Sequence, residues 1–523
     1  MKLLFLVAVC VVPALALANA PAPVPSPGPD ATSPAPAASP ADSLGPNTPL
    51  TPQALVRLVA VRNAAAVNAG LQQAVSSRLF EAEQALYSPR LLARVRTDSV
   101  NRPRSTDEFT QLTELINPGG PLLARYKTLD VGFQFKLPSG ALLDLSHQLN
   151  DRKSNLFLPP NSVEYAGTLS LVLKQPLLRN AGRSATEADL RIAELDAQLD
   201  VQRFSKEVLE SAGEGMNVFW QLHRAIEGLS LREVSMGSLR KLSADVASRV
   251  DAGFAPRTEL LDMRIALSAR ETELVRAQRA VLESQSRMRG VLNLGADTPA
   301  EASFVPQLPS VVAPITREEV SLRLEKARSS WPVLQLALLR RQQEGIRLQF
   351  ARNQALPDLS LELGFNHNSL RDRLNQTWKD SFSNKHPGWF AAISLDMPLN
   401  NQRGDARLAA QTVRVEQADA EVQAADRSLS NDLLTRFQQL QSTLSEARLQ
   451  GEDVRAREAL LVADQAQYQL GRARIRQVLE REDDLNESRL RLLDSEVRVE
   501  LARLALMLAD GSLLDQYGVD IQR

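Results

Sequence analysis

Proline placement constrains this chain more than any other feature. Of 29 prolines, 12 lie within the first 52 residues; Leu177 to Thr298 contains one, Pro256, and none follows Pro398. Proline removes a helical hydrogen bond and clashes with the preceding turn, so the proline-free stretches can form uninterrupted helices. Apolar and small residues within them recur at alternating spacings of three and four, the signature of coiled coils. The first stripe runs Val201, Phe204, Val208, Ser211, Gly215, Val218, Leu222, and its return partner carries Leu267, Leu274, Ala277, Val281, Ser284, Met288. Later, Leu433, Phe437, Leu440, Leu444 descend and Ile475, Val478, Leu485, Ser488, Leu492, Ser495, Val499 return. At 1.5 Å per residue, such a helix of some 66 residues is a rod of about 100 Å.

The N-terminus reads Met1, Lys2, an apolar run from Leu3 to Leu17, and a small-residue site at Ala16-Leu17-Ala18. This predicts a signal peptide over residues 1–18. Use of Cys10 for lipidation is the alternative, against which stand the poor lipobox Val7-Ala8-Val9 and the short run before it. Residues 19–52 alternate Pro with Ala, Ser and Gly and predict a disordered or polyproline-type linker. Beyond it, no stretch approaches the roughly 18 apolar residues of a spanning helix. An exported chain of this kind enters a membrane only as a β-barrel.

Charge excludes several other functions. Sixty-one basic residues face 62 acidic ones, a net of −1, which gives no global field for nucleic acid. Cys10 is the single cysteine and the four histidines stand far apart, so neither a metal site nor a disulfide is expected. No nucleophile elbow, P-loop or dinucleotide fingerprint occurs, so neither a cofactor nor an enzyme is expected.

The chain is also a duplication. Leu169 to Leu177, with Pro176 followed by Gly182, matches Ala391 to Leu399, with Pro398 followed by Gly404; both pairs are 222 residues apart. Each half then carries a long helix, a turn at Gly253 or Gly471, and a shorter returning helix. The first repeat, residues 53–300, is expected to hold strands near 89–100 and 164–175 and helices over 184–250 and 256–293. The second, residues 301–523, is expected to hold a helix over 316–354, strands near 357–367 and 389–397, and helices over 404–468 and 473–510. The strands alternate apolar and polar residues, as in Leu359-Ser-Leu361-Glu-Leu363-Gly-Phe365. At 9 to 10 residues, each is long enough to cross hydrocarbon when tilted. Tyr165, Trp389 and Phe390 sit at strand ends, where an interfacial girdle belongs. In the longer first repeat, Leu129 to Leu137 and Ala141 to Leu145 flank the turn Pro138-Ser139-Gly140 as a hairpin. Either residues 91–100 or part of 127–147 supplies the ascending barrel strand.

Prolines 176 and 398 suit the points where a strand leaves its sheet, and Gly182 and Gly404 the swivel into a helix. Gly253 and Gly471 permit helix reversal, with Pro256 suited to the first turn of the return. In this order, the phrases Leu173-Lys-Gln-Pro-Leu-Leu-Arg-Asn-Ala-Gly182, Ala252-Gly-Phe-Ala-Pro-Arg-Thr-Glu-Leu-Leu261 and Tyr468-Gln-Leu-Gly-Arg-Ala-Arg-Ile-Arg-Gln-Val-Leu479 resemble the TolC-like outer-membrane efflux protein family of Gram-negative bacteria. The likeness runs from about residue 50 to 520.

That resemblance implies a mostly α fold with membrane β: a homotrimer in the outer membrane, with a large periplasmic portion. Each repeat contributes two strands to a trimeric 12-stranded β-barrel that continues into a periplasmic α-helical barrel. It implies the exit duct of a tripartite efflux pump or type I secretion system, with outer-membrane lipid, a periplasmic adaptor and, indirectly, an inner-membrane transporter as partners. Adaptor docking then falls on the helical tips around Gly253, Ala255, Thr258, Gly471, Ala473 and Ile475. The constriction falls on Gln477 and Glu480, where Gln477 leaves the family's acidic ring incomplete. Arg472, Arg474 and Arg476 either face the lumen or bond a neighbouring helix. The competing reading is an exported coiled-coil scaffold or adhesin without a pore, which leaves the apolar faces of the alternating segments without a use.

Overall fold

A computed structural model describes residues 47–105, 120–155, 163–295, 303–308, 316–383 and 385–519. The expected signal peptide, Cys10 and residues 19–46 of the expected linker lie outside them. Residues 47–52, assigned above to that linker, are built into the fold. Strand β1 (Thr48–Leu50) pairs in parallel with a later strand, β6 (Phe304–Pro306), and Leu50 is fully enclosed. Thr51 then caps helix α1 (Pro52–Arg62) by accepting from the Ala54 N–H at 3.2 Å. Pro52 sits where a missing N–H costs nothing.

Helix α2 (Ala64–Gln84) leads through a 3-10 turn into β2 (Arg90–Arg102). Next come β3 (Leu122–Lys136), β4 (Leu142–Ser154) and β5 (Val163–Pro176), a short α3 (Arg183–Thr186), the long α4 (Ala188–Asp251) and its return α5 (Arg257–Val291). The second half holds α6 (Arg317–Ser330), α7 (Pro332–Gln354), β7 (Asp358–Arg371), a short α8 (Leu374–Asp380), β8 (Pro387–Asp396), α9 (Gln402–Gln469), α10 (Ile475–Ala509) and α11 (Leu513–Gln516). The two halves repeat closely: α4 and α9 have 64 and 68 residues, and α5 and α10 have 35 each. The longer pair are rods of roughly 100 Å.

The other six strands form one open antiparallel sheet in the order β2-β3-β4-β5-β7-β8. This corrects the expectation of two strands per repeat: the first half contributes four and the second two. Both segments left open above, 91–100 and 127–147, lie in the sheet. Because side chains alternate faces, the registers sort them cleanly. One face carries the row Leu91–Phe133–Leu145–Leu171–Phe365–Trp389, with Val131, Leu129, Leu149, Leu169, Leu363 and Ile393 around it. The other carries Arg94–Asp130–Gln148–Thr168–Asn368 and the hydrogen-bonded pairs Gln134–Asp144 at 2.9 Å and Thr128–Asn150 at 2.7 Å. Phe390 falls on this second face, its ring lying where a Gly364 side chain would stand. It therefore faces away from Trp389 and Tyr165, with which the expected girdle grouped it. Trp378 of α8 packs edge-on against His147 at 4.5 Å and Phe382 stacks on it at 5.7 Å, both on the apolar face at the end far from the long helices.

The main core lies where α1, α4, α5 and α10 converge, around Leu55, Val59, Ala212, Phe219, Met288 and Leu504. Gly213 and Gly215 let neighbours approach closely: a Cβ at Gly213 would lie 2.7 Å from Leu508, and one at Gly215 would lie 2.9 Å from Val59. Among the described residues no single helix is long and apolar enough to cross a membrane; α1 and α2 together reach the length only across a 52° bend.

Candidate docking tips and constriction

The two sheet-to-helix junctions are built differently. On the β5 side, Pro176 is the last paired residue, opposite Ser360, and Leu177 still donates to the Leu359 carbonyl at 2.8 Å. Asn180 and Gly182 then adopt φ of +61° and +85°, which reverses the chain into α3. On the β8 side, Pro398 lies past the end of the strand, and Gly404 is already inside the first turn of α9 and is not among the described glycines with positive φ. The swivel expected of Gly404 is therefore absent. The turn is held instead by Asn401, whose side-chain amide donates to the Ala355 carbonyl at 2.9 Å.

At the opposite end, both long hairpins turn by one device. Gly253 and Gly471 take φ of +77° and +74° just past the helix ends. Phe254 N–H donates to the Arg249 carbonyl and Gly253 N–H to that of Val250; Arg472 and Gly471 repeat the pattern on Gln467 and Tyr468. This double bond satisfies carbonyls the ending helix leaves open. Pro256 and Arg474, both extended, start the returning helices.

Gly253, Thr258 and Gly471 are exposed, and Ala255 and Ala473 are half-buried. Ile475 is only 1 % exposed: it packs with Leu239, Val246, Met263, Tyr468 and Val478 in a small core that joins the two hairpins. The residue sequence reading missed is Phe254, 83 % exposed at the first tip; a lone aromatic after a turn glycine was its only signal. Of the three arginines, Arg476 bonds the neighbouring helix through Asp262 at 3.5 Å, while Arg472 and Arg474 are exposed. Gln477 donates to Asp464 at 3.2 Å, and Glu480 is exposed with no hydrogen bond or ion pair among the described residues.

A cross-link between the hairpins was also not legible beforehand. Arg249, near the end of α4, donates to the last carbonyls of α9, Tyr468 and Gln469, at 3.4 and 3.2 Å, and its guanidinium lies over the Tyr468 ring at 4.9 Å. A cation at a helix C-terminus and over an aromatic face is favoured twice. The Tyr468 hydroxyl donates to Glu259 of α5 at 3.0 Å. Burial first, then the Glu259 carboxylate, push that hydroxyl's pKa up to about 12, so it remains a donor. Behind the tip, Glu482 is 7 % exposed on the packed face of α10, and burial raises its carboxyl above the ordinary range, with Arg270 and Arg489 opposing and Asp483 adding to the shift. Asp483 pairs with Arg270 of α5.

Residues 324–512 match the Outer membrane efflux protein family model. No curated protein matches the chain. Among solved structures, a Pseudomonas aeruginosa membrane protein aligns over 88 % of this chain and 90 % of its own, with a TM-score of 0.63 at 13 % identity. The outer membrane protein VceC of Vibrio cholerae aligns over 88 % and 96 % with a TM-score of 0.61 at 14 % identity. The outer membrane channel MtrE of Neisseria gonorrhoeae, in its open state, aligns over 88 % of both chains with a TM-score of 0.57 at 15 % identity. At such identities the likeness is one of fold. Residues 324–512 thus resemble the outer membrane efflux protein family, within a fold that the chain shares with solved outer-membrane channels over most of its length.

Proposed function

We propose that this chain is the outer-membrane exit duct of a tripartite efflux pump or type I secretion system, working as a homotrimer that receives substrate from a periplasmic adaptor and inner-membrane transporter. The carrying observation is the sheet: its apolar face on one side and polar face on the other, continued through tight junctions into hairpins of roughly 100 Å. A sheet with those faces suits lipid outside and water inside. It also gives the alternating segments the use that a scaffold or adhesin lacks.

Trimer formation has support in exposed apolar stripes. Leu261, Val275 and Leu282 of α5 are 57, 64 and 70 % exposed and, with Ser268, recur at heptad spacing. Val67, Leu71, Val75 and Leu79 line α2 in the same exposed manner. Such seams match a second helix. For the adaptor, the docking surface is the pair of tips bearing Gly253, Ala255, Thr258, Gly471 and Ala473, with Phe254 as apolar anchor and Ile475 supporting it from below. Glu480, repeated by threefold symmetry, lines the constriction, and the Arg249–Tyr468–Glu259 link holds the hairpins in the closed arrangement.

Detergent-extracted protein in a planar lipid bilayer tests the duct: a small, mostly closed trimeric conductance is expected. A product that stays monomeric and water-soluble without lipid or detergent overturns the proposal.

A further inference from the structure

We infer that the barrel uses all six strands of each protomer and closes as an eighteen-stranded barrel, in which β8 of one protomer pairs antiparallel with β2 of a second copy. This rests on the trimeric reading above and adds to it the strand count, the interface and the width of the pore.

The two sheet edges are β2 and β8. An unpaired edge presents a row of open backbone donors and acceptors, which proteins cover or pair. β2 leads away from the helical body and β8 leads back into it, so the edges of two copies related by rotation meet antiparallel. Both continue the apolar face outward: Leu91 and Val95 on β2 are 62 and 77 % exposed, and Ile393 and Leu395 on β8 are 72 and 62 % exposed. With the helix-side ends level, Leu91 faces Leu395, Ala93 faces Ile393, and Arg90 faces Asp396, an opposite-charge pair that fits the register.

The stagger also fits closure. The row of paired residues that starts at Leu91, next to Arg90 at the helix-side end of β2, ends at Trp389, seven residues from Asp396 along β8. The row therefore climbs by about one residue per strand. A barrel whose shear equals its strand number has a tilt of about 36°, within the range that barrels adopt.

The β3–β4 hairpin is no appendage. It is laddered to β2 on one side, from Arg90–Gln134 to Arg102–Leu122, and to β5 on the other, from Leu142–Lys174 to Lys153–Val163. Its turn is wedged into the sheet-to-helix junction. Gly182 N–H donates to the Ser139 carbonyl at 2.9 Å, the Ser139 hydroxyl donates to Gln175 at 2.9 Å, and a Cβ on Gly140 would lie 2.3 Å from the Asn180 carbonyl. A barrel of four strands per protomer would pair β8 with β4, whose second edge β3 already occupies.

Barrel diameter grows roughly linearly with strand number, so eighteen strands make a pore about 1.5-fold wider than twelve, in the size class that leaves an aqueous channel rather than a side-chain plug. The outer-membrane segment then passes solutes too large for a side-chain-filled bore.

The test is disulfide capture in a Cys10→Ser background. Ala93→Cys with Ile393→Cys, purified in detergent and oxidised, should run as covalent dimers and trimers on a non-reducing gel; Val95→Cys in place of Ala93→Cys, which captures a two-residue slip, counts equally. Trapping by Leu145→Cys with Ile393→Cys alone overturns the strand count. Light scattering on the unmodified protein separates the two readings: a monomer refutes the trimer, whereas a trimer without β8–β2 capture refutes only this pairing. Should the cysteine variants fail to fold, strand counting in an electron cryomicroscopy map of the unmodified trimer decides, with twelve refuting and eighteen supporting.

Discussion

At the scale of single residues, the tip of the helical body is held by a few polar groups whose surroundings determine their use. Tyr468 gives one hydroxyl to Glu259 and one ring face to Arg249. A hydrogen bond to a charged group contributes about 1.5–3 kcal/mol, and every 1.4 kcal/mol is tenfold in an equilibrium. Tyr468→Phe keeps the ring and loses the bond, so openings in bilayer recordings should become at least about tenfold more frequent. Unchanged openings would show that the hairpins are held elsewhere. Glu480 has no partner among the described residues to neutralise it, so its removal should act on ions rather than on folding: Glu480→Ala should lessen cation block with melting unaltered. Glu482 is the reverse case. Its native pKa lies above the ordinary 4.5 because burial disfavours the charge, so protonation relieves a cost of folding. The stability this site contributes is full below 4.5 and is lost as pH rises through the raised native value. Glu482→Gln should therefore melt higher than the parent near pH 7, and the gap should close as the pH falls towards 4.5; a gap constant with pH assigns the effect to packing.

At the scale of elements, the helices were the most legible part of the sequence. Their seams repeat within a single element, so Val208, Leu222, Leu433 and Val478 declare themselves locally, and each is buried in the structure. Strand number was less legible. Alternation in Leu129 to Leu145 shows that these residues form a hairpin, but which strands they join is decided by partners far along the chain, such as Lys174 for Leu142. The Arg249–Tyr468 contact was hidden for the same reason, since it joins residues of different repeats. Glycine roles were legible only where the backbone demands them. Gly253 and Gly471 need positive φ while a Cβ there would meet nothing within 4 Å, so a side chain costs about 1–2 kcal/mol of backbone strain and no clash. Gly471→Trp should thus leave the assembled protein folded while blocking adaptor crosslinking and efflux; normal efflux would move the docking site away from the tips. At Gly404, inside α9, an alanine Cβ would lie 2.5 Å from the Asn401 side chain, so Gly404→Ala should displace that side chain and weaken its hold on the Ala355 carbonyl.

At the scale of the whole molecule, the chain devotes its length to reach, and its stability as drawn is incomplete. A long, thin hairpin buries little on its own account, and α5 shows it: Met263, Ala277, Ser284 and Met288 are buried on one face while Leu261, Ile265, Val275 and Leu282 stand open on another. Two apolar faces on one helix mean two neighbours, of which the chain itself supplies one. In the proposed trimer the second is the adjacent protomer: the same exposure recurs on α2 and at both sheet edges, where a ring closed by helices and strands together would bury it. Ion pairs add little to that closure. Those within one helix, such as Arg279–Glu283 and Arg436–Asp432, are worth only about 0.3–0.5 kcal/mol each, and those that bridge helices, such as Arg341–Asp419 and Arg498–Glu446, join parts of the same protomer. Apolar seams should therefore dominate assembly. Val275→Glu with Leu282→Glu replaces two exposed side chains that touch no core of their own protomer, so the single chain should fold as before. The trimer loses about 1.5–3 kcal/mol for each apolar side chain no longer buried at an interface, repeated at three interfaces. Size-exclusion chromatography with light scattering should show the double variant dissociating at protein concentrations where the parent stays trimeric, with the helical circular dichroism of the two alike; a variant as trimeric as its parent would place the subunit contact on another face of α5.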